Sequence, residues 1–147
     1  MQAMDLLARK IILDGGRAFA AFTTPIEAYV LAKNLDPDLA EFAIPVEAAL
    51  RRLRDATSSL IQNAARNPEE IGAAATDYLR LFALTSLGYL WALMAEASWP
   101  KRNDDFHRAK IATARFYMQR ILPQTAGLHA AVMAGAAAVM EMDEAAF

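Results

Sequence analysis

Apolar residues recur along this chain at intervals of three and four and never alternate for long, so the pattern predicts helices and no strands. Met1 to Leu13 is helical in pattern from its first residue, with no capping residue before it, and Asp14-Gly15-Gly16 breaks it. From Arg17 to Lys33, Phe19, Phe22, Ile26, Tyr29 and Val30 fall on one face. Pro25 interrupts this second helix, which either kinks there or restarts with Thr24 as a cap. Asn34-Leu35-Asp36-Pro37 reads as a turn followed by another possible cap. The third helix is clearest after Pro45, where Val46, Leu50, Leu53, Thr57, Leu60, Ile61 and Ala64 repeat at helical spacing. Asn67-Pro68-Glu69-Glu70 supplies a cap, a first-turn proline and acids suited to a helix N-terminus. The fourth helix, to about Ser98, carries charge only at Glu69, Glu70, Asp77, Arg80 and Glu96, and is predicted to be the most buried. Trp99-Pro100 ends it, Lys101 to Asp105 forms a loop, and the fifth helix runs from about Asp105 to Ala134 with a kink at Pro123. Long helices joined by short loops predict an all-α, up-down-up-down four-helix bundle with a short leading helix.

Composition reinforces this reading. Of 147 residues, 33 are alanine, the strongest helix former, and 56% are apolar against about 45–50% in ordinary soluble domains. A net charge of −2 gives no global pull toward nucleic acid or anionic lipid. Without cysteine the chain has no disulfide, thiolate ligand or cysteine nucleophile, which fits a reducing, cytoplasmic setting. Asp5, Arg9 and Lys10 break the apolar residues at the start, so no signal-peptide core is present there. The longest uncharged run, Leu81 to Ala95, spans about 22 Å as a helix, short of a ~30 Å hydrocarbon core. A buried central helix is therefore expected in preference to a membrane span.

Candidate chemistry is sparse. A di-metal carboxylate bundle needs two Glu-x-x-His pairs, and the only acid-x-x-His spacing here is Asp104 to His107, at a helix start. His107 is expected at the surface and His129 as a packed or half-exposed residue. No serine stands in a nucleophile elbow, and Gly15-Gly16 alone is no phosphate loop. The basic cluster Lys101, Arg102, His107, Arg108, Lys110, Arg115 and Arg120 is diluted by Asp104 and Asp105 and reads as a solvated face, not a nucleic-acid patch. Arg51, Arg52 and Arg54 read the same way. Met133, Met140 and Met142 are ascribed to packing and a frayed tail, with an adaptable docking surface as the alternative. Catalytic, cofactor-binding and metal-binding residues are all assigned as none.

Ordered motifs carry a resemblance. Met1-Gln2-Ala3-Met4-Asp5-Leu6-Leu7-Ala8-Arg9-Lys10 resembles an Ile-Gln-Ala-Leu-Asp-Leu-Val-Gly-Arg-Lys segment of bacterial acyl-CoA dehydrogenases. Thr76-Asp77-Tyr78-Leu79-Arg80-Leu81-Phe82, then Gly88-Tyr89 and Trp91, then Phe106 through Tyr117 and Leu122-Pro123, are similar to the extra C-terminal helical domain of one subgroup. That subgroup includes enzymes similar to 3-methylmercaptopropionyl-CoA dehydrogenase. The closing Glu144-Ala145-Ala146-Phe147 also resembles the end of such chains, whereas Thr23 to Ala65 matches only as helical pattern.

The resemblance implies that residues 1–15 are the last helix segment of the preceding dehydrogenase bundle and 16–147 a C-terminal four-helix domain. It implies that the flavin (FAD) and acyl-CoA sites, and a catalytic glutamate in a Glu-Gly-Thr segment, lie upstream of the Ile-Gln pair. Within the matched motifs, Asp77, Arg80, Lys110 and Arg115 are expected to form a structural ion-pair network between the fourth and fifth helices, with contact to coenzyme A or another domain as the alternative. The expected role is accessory: packing on the upstream dehydrogenase domains or supporting contacts in a homo-oligomer. A free-standing helical module that oligomerises or binds an apolar ligand is the competing reading.

Overall fold

The computed structural model describes residues 1–141 and is helical along nearly all of that length, with no strand among the described residues. Helix α1 begins as Gln2–Met4 and continues with π-helical spacing over Asp5–Ile12. Then follow α2 (Arg17–Lys33), α3 (Ala40–Ala64) and α4 (Glu69–Ser98). A 3-10 turn, Trp99–Lys101, leads to α5 (Asp105–Phe116). The chain then passes through a π turn, Tyr117–Ile121, and a 3-10 turn, Leu122–Gln124, into α6 (Thr125–Met133) and the short α7 (Ala137–Met140). Met142 and the closing Glu144 to Phe147 lie outside the described residues.

The chain's own acids and amides start the helices. The Asp14 carboxylate accepts from Ala18 N at 2.6 Å while Gly15 and Gly16, with φ of 62° and 80°, turn the backbone from α1 into α2. Asp36 accepts from Asp38 N and Leu39 N ahead of α3, Asn67 from Glu69 N at α4, and Asp104 from Phe106 N and His107 N at α5.

Pro25 and Pro45 act differently from expectation. Helix α2 runs through Pro25 without a break, and the Thr24 hydroxyl donates backward to the Ala20 carbonyl instead of capping a new turn. Helix α3 begins at Ala40, so Pro45 lies inside it. Near Pro123 the helix changes register over Tyr117–Ile121 first, and the proline then falls in the 3-10 turn.

Helix α4 packs against α1, α3, α5 and α6. Glu69–Lys101 has the length and mean hydropathy of a membrane-crossing helix, and 33% of its most apolar window is buried inside the fold, so the helix expected to be the most buried leaves most of that window uncovered and α3 buries the larger share of its residues. Two apolar cores follow one another along it. One joins Ile26, Phe42, Val46 and Leu122 around Ala92 and Ala95, and the other joins Leu7, Ile11, Leu53, Leu60 and Val132 around Tyr78 and Leu81. Paired residues give the directions. Phe22 stacks on Phe82 and Tyr29 bonds Ala92, so α2 rises with α4. Phe42 meets Trp99 and Thr57 meets Tyr78, so α3 descends against it.

Candidate functional site

The polar side chains with specific partners sit at the joints between helices. Thr57 donates to the Leu53 carbonyl at 2.7 Å, and its hydroxyl lies 2.6 Å from that of Tyr78, which is fully buried. The Tyr29 and Tyr117 hydroxyls donate to the carbonyls of Ala92 and Leu84, tying α2 and the turn after α5 to α4. Burial pushes the Tyr117 phenol up to about 12. Tyr29 and Tyr78 shift the same way, for the same first reason.

Charged joints lie nearer the surface. Lys33 pairs with Glu96 at 2.7 Å, Arg54 with Glu27 at 2.5 Å, and His129 Nε2 lies 2.8 Å from an Asp55 oxygen. His129, expected as packed or half-exposed, is half-buried and joins α6 to α3. His107 is also half-buried, and its Nδ1 is buried without a partner. No group of three or more metal-ligating side chains forms among the described residues.

The four residues proposed as a network between the fourth and fifth helices are distributed otherwise. Arg115 donates two hydrogen bonds to Glu41 on α3, at 2.8 and 2.7 Å, and that partner holds its guanidinium above the usual arginine range. The Lys110 ammonium lies 5.8 Å from the Trp91 ring centre and 5.4 Å from that of Phe106, a cation–π arrangement. Asp77 is half-buried and Arg80 exposed, and among the described residues no ion pair joins any two of the four. Arg115 thus reaches 74 positions back along the chain, to a residue no local spacing relates to it.

Where α4 gives way to α5, two guanidinium groups approach the Trp99 ring. Arg102 is 5.5 Å from its ring centre and Arg115 5.9 Å, and with Arg108 and Ile111 they line a hollow of about 300 Å³. Three of the seven basic-cluster residues, Arg102, Arg108 and Arg115, lie here: Arg102 also donates to the Trp99 carbonyl and Arg108 pairs with Asp105. A second cleft, of about 340 Å³, opens between α2 and α3, with Val30 and Leu50 as its floor and Glu27, Glu47, Arg51 and Arg54 around it. Neither hollow brings together a nucleophile, a base and oxyanion donors.

The geometry is therefore that of an all-helical domain whose polar groups join helices to one another. Its sequence fits a known domain of that class. Residues 17–143 match the family described as acetyl-CoA dehydrogenase C-terminal like, and the chain belongs to that family. It is 30% identical over 143 residues to the 3-methylmercaptopropionyl-CoA dehydrogenase of Ruegeria pomeroyi, an alignment covering 90% of this chain and 23% of the relative. It is 26% identical over 155 residues to the butyryl-CoA dehydrogenase of Syntrophomonas wolfei, covering all of this chain and 25% of that enzyme. The chain thus spans about a quarter of the length of these relatives.

Proposed function

We propose that this chain is an accessory domain of a flavin-dependent acyl-CoA dehydrogenase, active in the cytoplasm, which packs on the enzyme's catalytic domains and has no chemistry alone. The match to a C-terminal family over 17–143, in relatives about four times as long, carries the reading. Its start at residue 17, just past Gly15-Gly16, supports dividing residues 1–15 from 16–147, although α1 shares a core with α3, α4 and α6. The four long helical units α2, α3, α4 and α5–α6 are read as the up-down-up-down bundle, with α1 as the leading helix.

The residues present do not suit FAD. A dinucleotide's pyrophosphate favours a free helix N-terminus behind a glycine turn. The double-glycine turn leads into α2, where Asp14 already holds the first-turn N–H of Ala18 and opposes an anion, and the turn at Gly135 leads only into the four-residue α7. Asp104 does the same at α5. FAD is therefore assigned to the rest of the longer enzyme, and no step is derived through it here.

The purified chain should be colourless and should not reduce an electron acceptor with any acyl-CoA. Yellow protein with stoichiometric flavin would refute the assignment.

A further inference from the structure

Arg52 on α3 is the one arginine among the described residues that is not exposed. Two lysines are half-buried as well, and each has its counterpart: Lys33 pairs with Glu96, and Lys110 lies over the Trp91 and Phe106 rings. Among the described residues Arg52 has neither an acid nor a ring, and its Nη1 donates to the Thr125 hydroxyl at 3.2 Å. Thr125 has no exposed surface and spends its own proton on the Leu122 carbonyl at 2.6 Å, so it fixes the guanidinium without neutralising it. The other N–H donors of that guanidinium stay open. Withdrawing a cation from water without an opposite charge is costly, and buried arginines are ordinarily paired.

Arg52 lines a hollow of about 270 Å³ whose other walls are apolar. Pro45 and Ala48, on the same face of α3, form one wall, and Met118, Leu122 and Pro123 form the other. Met118 and Leu122 are buried. Their wall belongs to the π and 3-10 turns that follow α5, and π turns inside helices are frequent at functional sites. The acids that continue this face of α3, Glu41 before Pro45 and Asp55 after Arg52, are engaged by Arg115 and His129. The hollow thus has a single charge, and it is positive. In the Trp99 hollow, by contrast, Arg108 and Arg115 already hold acids.

We propose that this hollow binds a small carboxylate with an aliphatic tail, the carboxylate on the Arg52 guanidinium and the tail against Met118 and Leu122. A carboxylate accepts paired N–H bonds from a guanidinium, as Glu41 does from Arg115. The volume suits a short tail, since pockets for drug-sized ligands begin near about 300 Å³. A thioester has no free carboxylate, so this ligand differs from the acyl-CoA assigned to the rest of the longer enzyme, and the site needs only this chain.

Titration of octanoate into the full chain, followed by the methyl NMR signal of Met118, tests it, with the signal assigned from Met118→Leu. Octanoate should shift that signal to saturation. Octanol, which has the tail without the charge, and acetate, which has the charge without the tail, should each bind at least about tenfold more weakly. Arg52→Gln should weaken octanoate by about tenfold or more, and Arg52→Lys, which keeps the charge, by less. Ala48→Leu fills the hollow without touching Arg52 and should abolish the shift. Circular dichroism and urea midpoints check that each variant folds; if Arg52→Gln does not, the comparison of octanoate with octanol in the parent chain decides. No saturating shift of Met118, or octanoate binding undiminished by Ala48→Leu, would overturn the proposal. Octanol binding as well as octanoate, or octanoate binding equally to Arg52→Gln, would leave an apolar hollow and overturn the carboxylate. Acetate binding as well as octanoate would overturn the tail.

Discussion

The contact between Thr57 and Tyr78 allows the cost of an unpaired buried group to be separated from that of a lost hydrogen bond. Thr57 gives its proton to the Leu53 carbonyl, so the phenol must be the donor across the 2.6 Å contact. Tyr78→Phe removes that donor and leaves Thr57 with its backbone bond, so one neutral hydrogen bond is lost, about 1 kcal/mol. Thr57→Val keeps the side chain's shape but leaves a phenol hydroxyl unpaired at a residue with no exposed surface, which costs about 1–3 kcal/mol. The valine variant should therefore be the less stable of the two. In the double variant neither group remains to be satisfied, so its destabilisation should fall short of the sum of the singles by about 1 kcal/mol. Urea unfolding followed by circular dichroism reads all four proteins, with the midpoint moving at constant slope. Equal single variants, or an additive double, would show that the hydroxyl finds another partner and would refute the reasoning.

Gly88 sits where α4 meets the turn after α5, and a Cβ there would come within 3.0 Å and 3.2 Å of the Leu122 methyls. Leu122 is 2% exposed and precedes Pro123, so it has little room to yield, and Gly88→Ala should lower stability by about 1–3 kcal/mol in thermal melts. Gly72→Ala, with nothing within 4 Å of the new carbon, should instead raise it by up to about 1 kcal/mol. Arg80→Ala should stay within about 0.5 kcal/mol of the parent, because Arg80 is exposed and unpaired among the described residues; a loss of several kcal/mol would reveal a buried partner. Burial raises the phenols of Tyr29, Tyr78 and Tyr117 in the fold, so above pH ~10 the unfolded chain sheds protons that the folded chain keeps. Stability is then fully present below that pH and falls as pH rises, by about 1.4 kcal/mol per unit for each phenol, until the folded groups titrate, Tyr117 at about 12. Urea midpoints across alkaline pH should show the slope, and Tyr78→Phe should reduce it.

Helix identity was legible because it is written locally. The spacing of Val46, Leu50, Leu53, Thr57, Leu60, Ile61 and Ala64 places seven side chains on one face, and in α3 all are buried except Ile61, which is half-buried. The starts of α4 and α5 were legible for the same reason, since Asn67 and Asp104 act on N–H groups two or three positions away. The prolines were read less well. A ring removes one N–H and crowds one carbonyl, a local cost of about 3 kcal/mol or more that local reasoning turns into a break. Pro25 and Pro45 remain inside continuous helices because the turns on either side bury Thr23, Ile26, Phe42 and Val46, a gain that depends on partners far along the chain. The π spacing of Asp5–Ile12 and Tyr117–Ile121 left no local mark for the same reason.

The candidate network was the least legible element, and the reason is geometric. Spacing within α4 and α5 shows which residues share a face, but it cannot show which helix that face meets. Asp77 and Arg80 lie three apart, and Lys110 and Arg115 five apart, so an acid and three bases on neighbouring helices look like a network. In the fold α5 also lies beside α3, and the first turn of α3 brings Glu41 to Arg115 while Trp91 and Phe106 receive Lys110. Each of these two cations is satisfied at a helix joint, which leaves Arg80 as the cation of the three that is exposed and without an ion pair among the described residues.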